Sequence, residues 1–88
     1  MSIVILYTPE FKRDYKKLSG MLQDLLKKKG QLFEQEPFHP LLNNHALGGD
    51  RLGQWSINVT GDWRAIYEFQ DAETVVFVEI DTHSNLYK

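Results

Sequence analysis

The chain has 88 residues with 12 acidic and 10 basic side chains, a net charge of −2 and no cysteine. This length suits one small domain, which we expect to span residues 1–88, and the lack of cysteine excludes disulfides and thiolate metal sites. No stretch has the length of a membrane span, and the first residues lack the pattern of a secretory signal. We therefore expect a cytoplasmic protein.

The charges are distributed unevenly along the chain. Residues 9–30 carry seven basic and three acidic side chains (+4), whereas residues 45–88 carry three basic and seven acidic ones (−4). The overall charge gives no argument for nucleic-acid binding, and lysine-rich helix faces are usually only solvated surfaces. A basic first half and an acidic second half are all that the charge pattern establishes.

The first third of the chain predicts a strand followed by a helical hairpin. Residues 3–7 are apolar at every position, which predicts a short strand buried on both faces. Thr8 followed by Pro9 is typical of a helix start. The helix that follows has an apolar stripe with helical spacing, formed by Phe11, Tyr15 and Leu18. A second pattern with helical spacing runs over residues 21–33.

The second half of the chain predicts three strands. After an irregular stretch, residues 54–59 alternate between apolar and polar side chains, and residues 63–69 and 74–80 are rich in aromatic and β-branched side chains. Short turns between them predict an antiparallel meander. The expected fold is therefore α+β, with the order β-α-α-β-β-β and the helical hairpin on one face of a four-stranded sheet.

Four polar residues in the second half are difficult to explain by packing: His45, Asp62, Arg64 and His83. Arg64 lies in a strand between apolar residues, which is costly unless an anion, an acid or water meets its guanidinium. Spacing alone favours an Arg64 that reaches towards solvent and pairs with Asp62 or Glu68, and a phosphate clamp is the alternative. We expect the end of the last strand to lie far from the first hairpin turn. Whether the four residues meet therefore depends on the three-dimensional structure.

Two imidazoles, a carboxylate and a guanidinium suit RNA cleavage without a metal. That reaction needs a base for the 2′-hydroxyl proton, an acid for the leaving 5′-oxygen and a cation for the phosphoryl oxygens. Histidine serves as base or acid because its unperturbed pKa is about 6.5, and arginine binds phosphate through two parallel hydrogen bonds. For any single histidine, a simple polar residue at a strand end is the commoner interpretation. No metal-ligand spacing and no serine nucleophile arrangement is suggested.

The chain resembles the RelE/ParE superfamily of bacterial toxins, and within it the YafQ-like branch of ribosome-dependent mRNA interferases. The resemblance covers nearly the whole chain and includes residues 45–48 (HALG), 61–67 (GDWRAIY) and 82–87 (THSNLY). It implies a toxin that cuts mRNA in the ribosomal A site, uses no cofactor and is held inactive by a cognate antitoxin, which we expect to cover the active cleft or the helical hairpin.

The resemblance also implies roles for individual residues. His45 and His83 would transfer protons, Asp62 would assist the base or orient a histidine, and Arg64 would contact the phosphate. Substrate-binding roles fall to Tyr87, which would stack on a base or support the site, to Trp63, as a buried neighbour or stacking platform, and to Asn58.

Two features depart from the family pattern. Asn58 occupies a position where YafQ-like toxins tend to have a further histidine, and an amide cannot exchange protons. The net charge is acidic, so docking to a polyanionic ribosome would depend on the basic helices. The alternatives are a ParE-like inhibitor of DNA gyrase and a non-catalytic homologue that only binds an antitoxin. A cleft shared by the histidines, Asp62 and Arg64 would favour the nuclease.

Overall fold

The structure is a computed structural model that describes residues 2–87. This part of the chain contains five strands and three helices. Two short 3-10 turns, Pro40–Leu42 and Gly49–Arg51, lie in the connection between the helices and the meander. The elements in chain order are β1 (Val4–Tyr7), α1 (Pro9–Lys16), α2 (Gly20–Gln35), β2 (His45–Ala46), β3 (Gln54–Asn58), β4 (Trp63–Asp71), β5 (Thr74–Thr82) and α3 (His83–Leu86).

The strands form one mixed sheet in the order β1-β5-β4-β3-β2. β1 is parallel to β5, and the other pairs are antiparallel. The predicted α+β class, helical hairpin and meander are confirmed, but the prediction of four strands is wrong because β2 adds a fifth. β2 has two residues and α3 has four, so both are too short to show a hydrophobic period in the sequence.

Capping side chains start both helices of the hairpin. The hydroxyl of Thr8 accepts a hydrogen bond from the amide of Phe11 at 3.1 Å, and that of Ser19 accepts one from Leu22 at 3.2 Å. The apolar stripes then pack on one face of the sheet. Phe33 of α2 is fully buried there, with its ring 5.0 Å from that of Tyr67 and in an edge-on orientation.

β1 is not buried on both faces, contrary to the expectation from its composition. The side chains of Val4 and Leu6 are 52% and 43% exposed. Ile3 and Ile5 pack against the core under the hairpin. The helical hairpin covers only one face, and β1 is an edge strand, so its alternate side chains face outwards.

The face of the sheet opposite the hairpin is covered in part by α3. Ala65 and Tyr67 belong to the core under the hairpin, so the alternation along β4 directs Arg64 and Ile66 to the opposite face. Ile66 and Leu86 of α3 are both buried outside that core. None of the described helices combines the length and the apolarity that a membrane crossing requires.

Candidate active site

A cleft of about 370 Å³ opens on the face of the sheet opposite the hairpin. It is lined by Asn43, His45, Leu47, Arg64, His83 and Tyr87. Four of these six residues are among the predicted site residues. The structure therefore brings both candidate histidines, the candidate arginine and the terminal tyrosine to one place.

The register of the sheet explains this convergence. β4 and β5 run antiparallel with Trp63 opposite Thr82, so the start of β4 lies beside the end of β5 and beside the α3 residues that follow. The expectation that the last strand ends far from the first hairpin turn is wrong for this reason. On the other side, β2 pairs with β3 so that His45 lies opposite Ser56, which in turn lies opposite Ile66.

His45 is oriented by its own loop. Asn43 adopts a left-handed backbone conformation with φ of 46°. Its carbonyl oxygen lies 2.7 Å from Nδ1 of the His45 ring. A carbonyl can only accept, so Nδ1 carries the proton in this contact, and Nε2 of the neutral ring is left as a proton acceptor.

Arg64 is held by the hairpin turn rather than by an acid. Its Nη1 donates towards the carbonyl oxygens of Thr60, Gly61 and Trp63, at 3.0, 3.2 and 3.2 Å. The predicted alternative of a salt bridge to Asp62 or Glu68 is wrong, since within residues 2–87 no carboxylate lies within 4.0 Å of this guanidinium. The turn thus fixes one side of the fork and leaves its other donors for an anion.

His83 is the first residue of α3 and is held by the turn before β4. Its backbone amide donates a 2.8 Å hydrogen bond to the carbonyl oxygen of Asp62. Its ring is exposed and lies 4.7 Å from the ring of Tyr87, measured between centroids. The imidazole and the phenol therefore form one wall of the cleft.

Three predicted site residues do not line the cleft. The Asp62 side chain is exposed beside the turn, and only its backbone contacts His83. Trp63 packs partly buried against the core on the hairpin side. Asn58 lies opposite Arg64 in the sheet, and its Oδ1 is buried with no hydrogen-bond partner among the described residues.

Sequence reasoning missed four residues of this region. Asn43 and Leu47 line the cleft, and only the Asn-Asn pair before His45 hinted at a special turn. Arg51 and Glu79 form an ion pair with a nitrogen–oxygen distance of 3.1 Å beneath α3. No spacing signal joins two residues that far apart in the chain. Within residues 2–87 no group of three or more histidine, aspartate or glutamate side chains is arranged to hold a metal ion.

Among known proteins, one family model matches the chain, and solved toxin structures share its fold. Residues 3–88 match the model of a family described as the bacterial toxin of the type II toxin–antitoxin system, YafQ. No curated protein sequence matches the chain.

Three solved structures illustrate the shared fold. YafQ from Escherichia coli BL21(DE3) is 23% identical, with a TM-score of 0.76 over 98% of this chain and 99% of that one. The E. coli DinJ-YafQ toxin–antitoxin complex gives 22% identity and a TM-score of 0.77 over the whole of both chains. The RelBE2 toxin–antitoxin complex from Mycobacterium tuberculosis gives 21% identity and a TM-score of 0.78 over 94% of this chain and all of that one.

Proposed function

Because the chain belongs to the YafQ family of toxins from bacterial type II toxin–antitoxin systems, we propose that it is an endoribonuclease that cuts mRNA on the ribosome. One observation carries the proposal. A single cleft contains two imidazoles and a guanidinium that has no carboxylate partner among the described residues. These are the groups that cleavage by 2′-oxygen attack requires.

The orientation of His45 supports its role as the base. With Nδ1 donating to the Asn43 carbonyl, Nε2 takes the proton of the 2′-hydroxyl as that oxygen attacks the adjacent phosphorus. The bond from phosphorus to the 5′-oxygen breaks, and His83 in its protonated form donates a proton to that oxygen. The products are a 2′,3′-cyclic phosphate and a 5′-hydroxyl, with a proton gained by His45 and one given up by His83.

Arg64 and Tyr87 supply binding rather than proton transfer. The free donors of the Arg64 fork would bind the phosphoryl oxygens and stabilise the charge that builds on them during the attack. The Tyr87 ring is 38% exposed, which leaves a face for stacking on a nucleotide base. Asn58 lies beside Arg64 and is proposed as a secondary substrate contact.

The helical hairpin supports a role in docking. A groove of about 550 Å³ runs between α1, α2 and β1, with an apolar floor that includes Phe11 and Leu26. Lys12, Lys16 and Lys27 also line it. We propose that the cognate antitoxin inserts an acidic, amphipathic segment here. A chain with net charge −2 also needs these lysines to approach ribosomal RNA, so an antitoxin in the groove would block ribosome docking.

The function is tested by induced expression of wild type and three histidine variants, His45→Ala, His83→Ala and His39→Ala, with primer extension on an abundant transcript. His39 is the matched control because its ring caps a 3-10 turn through the amide of Leu41 and does not line the cleft. We expect growth arrest and cuts in translated mRNA for wild type and His39→Ala, and neither for the other two. Arrest without cuts would indicate gyrase inhibition instead, and no arrest would indicate a binding protein.

The antitoxin groove is tested separately. Reversing the charge of Lys12, Lys16 and Lys27 to glutamate should weaken antitoxin binding, whereas the same change at Lys28 and Lys29, which do not line the groove, should leave it nearly unchanged. Equal binding by both sets of variants, or full inhibition by an antitoxin from which the docking segment has been deleted, would contradict this site.

A further inference from the structure

α3 is too short to hold its own position. It has four residues, His83–Leu86, and isolated helices of this length are not stable in water. It nevertheless carries His83 at its start and Tyr87 directly after its end, and both side chains line the cleft. The geometry of that wall must therefore come from contacts between α3 and the rest of the protein.

The start of α3 is fixed to β5 and to the hairpin turn. The Thr82 hydroxyl accepts a hydrogen bond from the amide of Asn85 at 3.4 Å, and Asp81 Oδ1 accepts one from the Asn85 side chain at 3.0 Å. The His83 amide donates to the Asp62 carbonyl oxygen. These contacts set where the helix begins, whereas at its other end the side chain of Leu86 is buried.

Arg51 contacts the other end of α3. Its Nη2 donates to the carbonyl oxygen of Leu86 at 3.2 Å, and its guanidinium carbon lies 5.9 Å from the centre of the Tyr87 ring. Its Nη1 donates to Gln54 Oε1 at 2.9 Å and to Glu79 Oε1 at 3.1 Å, and Nη2 lies 3.5 Å from Glu79 Oε2. Arg51 thus connects β3 and β5 with the last residue of α3.

We propose that Arg51 is a positioning residue, oriented by Glu79, that fixes the end of α3 and thereby sets the place of the Tyr87 ring, against which the His83 imidazole packs in the cleft. The inference rests on the proposed nuclease function for its kinetic consequence. A direct role for Arg51 in binding RNA is the competing explanation. It is disfavoured because the side chain is only 23% exposed and its donors already bind a carboxylate and a carbonyl.

The experiment compares Arg51→Met with Arg13→Met, which removes an equal charge from an exposed position on α1. Single-turnover cleavage is measured on ribosomes programmed with mRNA, at increasing toxin concentration. We expect Arg51→Met to lower the saturating rate about tenfold or more, as misplacement of reacting groups does, with an unchanged half-saturating concentration. Arg13→Met should keep the wild-type saturating rate.

Arg51→Lys tests the geometry of the contact at constant charge. One ammonium cannot reproduce the planar fork that bridges Glu79 and Leu86, so its saturating rate should also stay well below wild type. A wild-type rate for both Arg51 variants would overturn the inference. A raised half-saturating concentration with an unchanged saturating rate would overturn it as well, since it would assign Arg51 to ribosome binding.

A second readout does not depend on cleavage. In wild type, the His83 and Tyr87 rings are close enough for NMR cross-relaxation, with centroids 4.7 Å apart. Loss of these cross-peaks in Arg51→Met, with unchanged signals from the helical hairpin, would support positioning even if wild type cleaved no RNA and the proposed function failed. Unchanged cross-peaks would overturn it.

Discussion

The hydroxyl of buried Tyr67 donates a hydrogen bond to the side-chain oxygen of Asn44 at 2.8 Å, one residue before His45. The Asn44 amide group in turn donates to the carbonyl oxygen of Pro37 at 2.8 Å. The irregular segment that carries His45 is therefore anchored to the centre of the core. A core side chain on one face of the sheet thereby restrains a catalytic candidate on the other.

Replacing Tyr67 with phenylalanine tests this anchor. Tyr67→Phe removes the hydrogen bond and leaves the Asn44 oxygen without its donor, which should lower the free energy of unfolding by about 1 kcal/mol. Urea denaturation measures the change. Tyr87→Phe, at an exposed ring, is the control and should change stability by no more than about 0.5 kcal/mol. Equal effects of the two variants would show that the Tyr67 hydroxyl contributes nothing.

The same hydroxyl predicts how stability depends on alkaline pH. Burial raises the pKa of Tyr67 from 10.0 to about 12. A raised folded-state pKa means that its stabilising contribution is complete below the unfolded-state value and is lost as pH rises from about 10 to about 12. Unfolding curves across that range should show wild type losing more stability than Tyr67→Phe. Parallel pH profiles would contradict the shift.

The sequence predicted correctly those helices and strands whose apolar side chains recur with a regular period, and it did not predict the others. The helical stripe that includes Phe11 and the alternation of β3 gave the α+β fold because hydrophobic periodicity determines which face is buried. The prediction that β1 is buried on both faces was wrong, because a continuous apolar run does not distinguish an edge strand from a central one.

For the candidate site, residue type indicated His45, Arg64, His83 and Tyr87, but not what holds them. Their supports are a turn carbonyl, a left-handed asparagine and an arginine more than thirty residues from the helix it contacts. The Arg51 contact joins residues 35 positions apart and depends on how the sheet assembles, so no local pattern indicates it. The carbonyls of Asn43 and Thr60 lie close in the chain to the side chains that they hold, but these contacts depend on turn conformations that residue type alone does not specify.

Asp62 and Arg64 should differ sharply in their effect on cleavage. Asp62→Asn keeps the backbone carbonyl that accepts from His83, so we expect a single-turnover rate within about twofold of wild type. Arg64→Lys loses the fork that would bind the phosphate and should lower the rate on the order of a hundredfold. Rates that fall equally in the two variants would place the Asp62 carboxylate in the chemistry.

Trp63 and Tyr87 are two aromatic candidates for substrate binding on opposite faces of the sheet. We expect the alanine variant of Trp63 to lose stability and that of Tyr87 to lose cleavage rate. Trp63 packs against the core, so Trp63→Ala should lower the free energy of unfolding by about 2–3 kcal/mol while the folded fraction still cleaves at the wild-type rate. Tyr87→Ala should unfold almost as wild type does, because the ring is 38% exposed, yet cleave about tenfold more slowly through loss of base stacking. Urea denaturation paired with single-turnover cleavage, normalised to folded protein, separates the two effects. If Trp63→Ala reduced the rate of the folded enzyme as much as Tyr87→Ala did, the tryptophan would be a stacking platform and not a core residue.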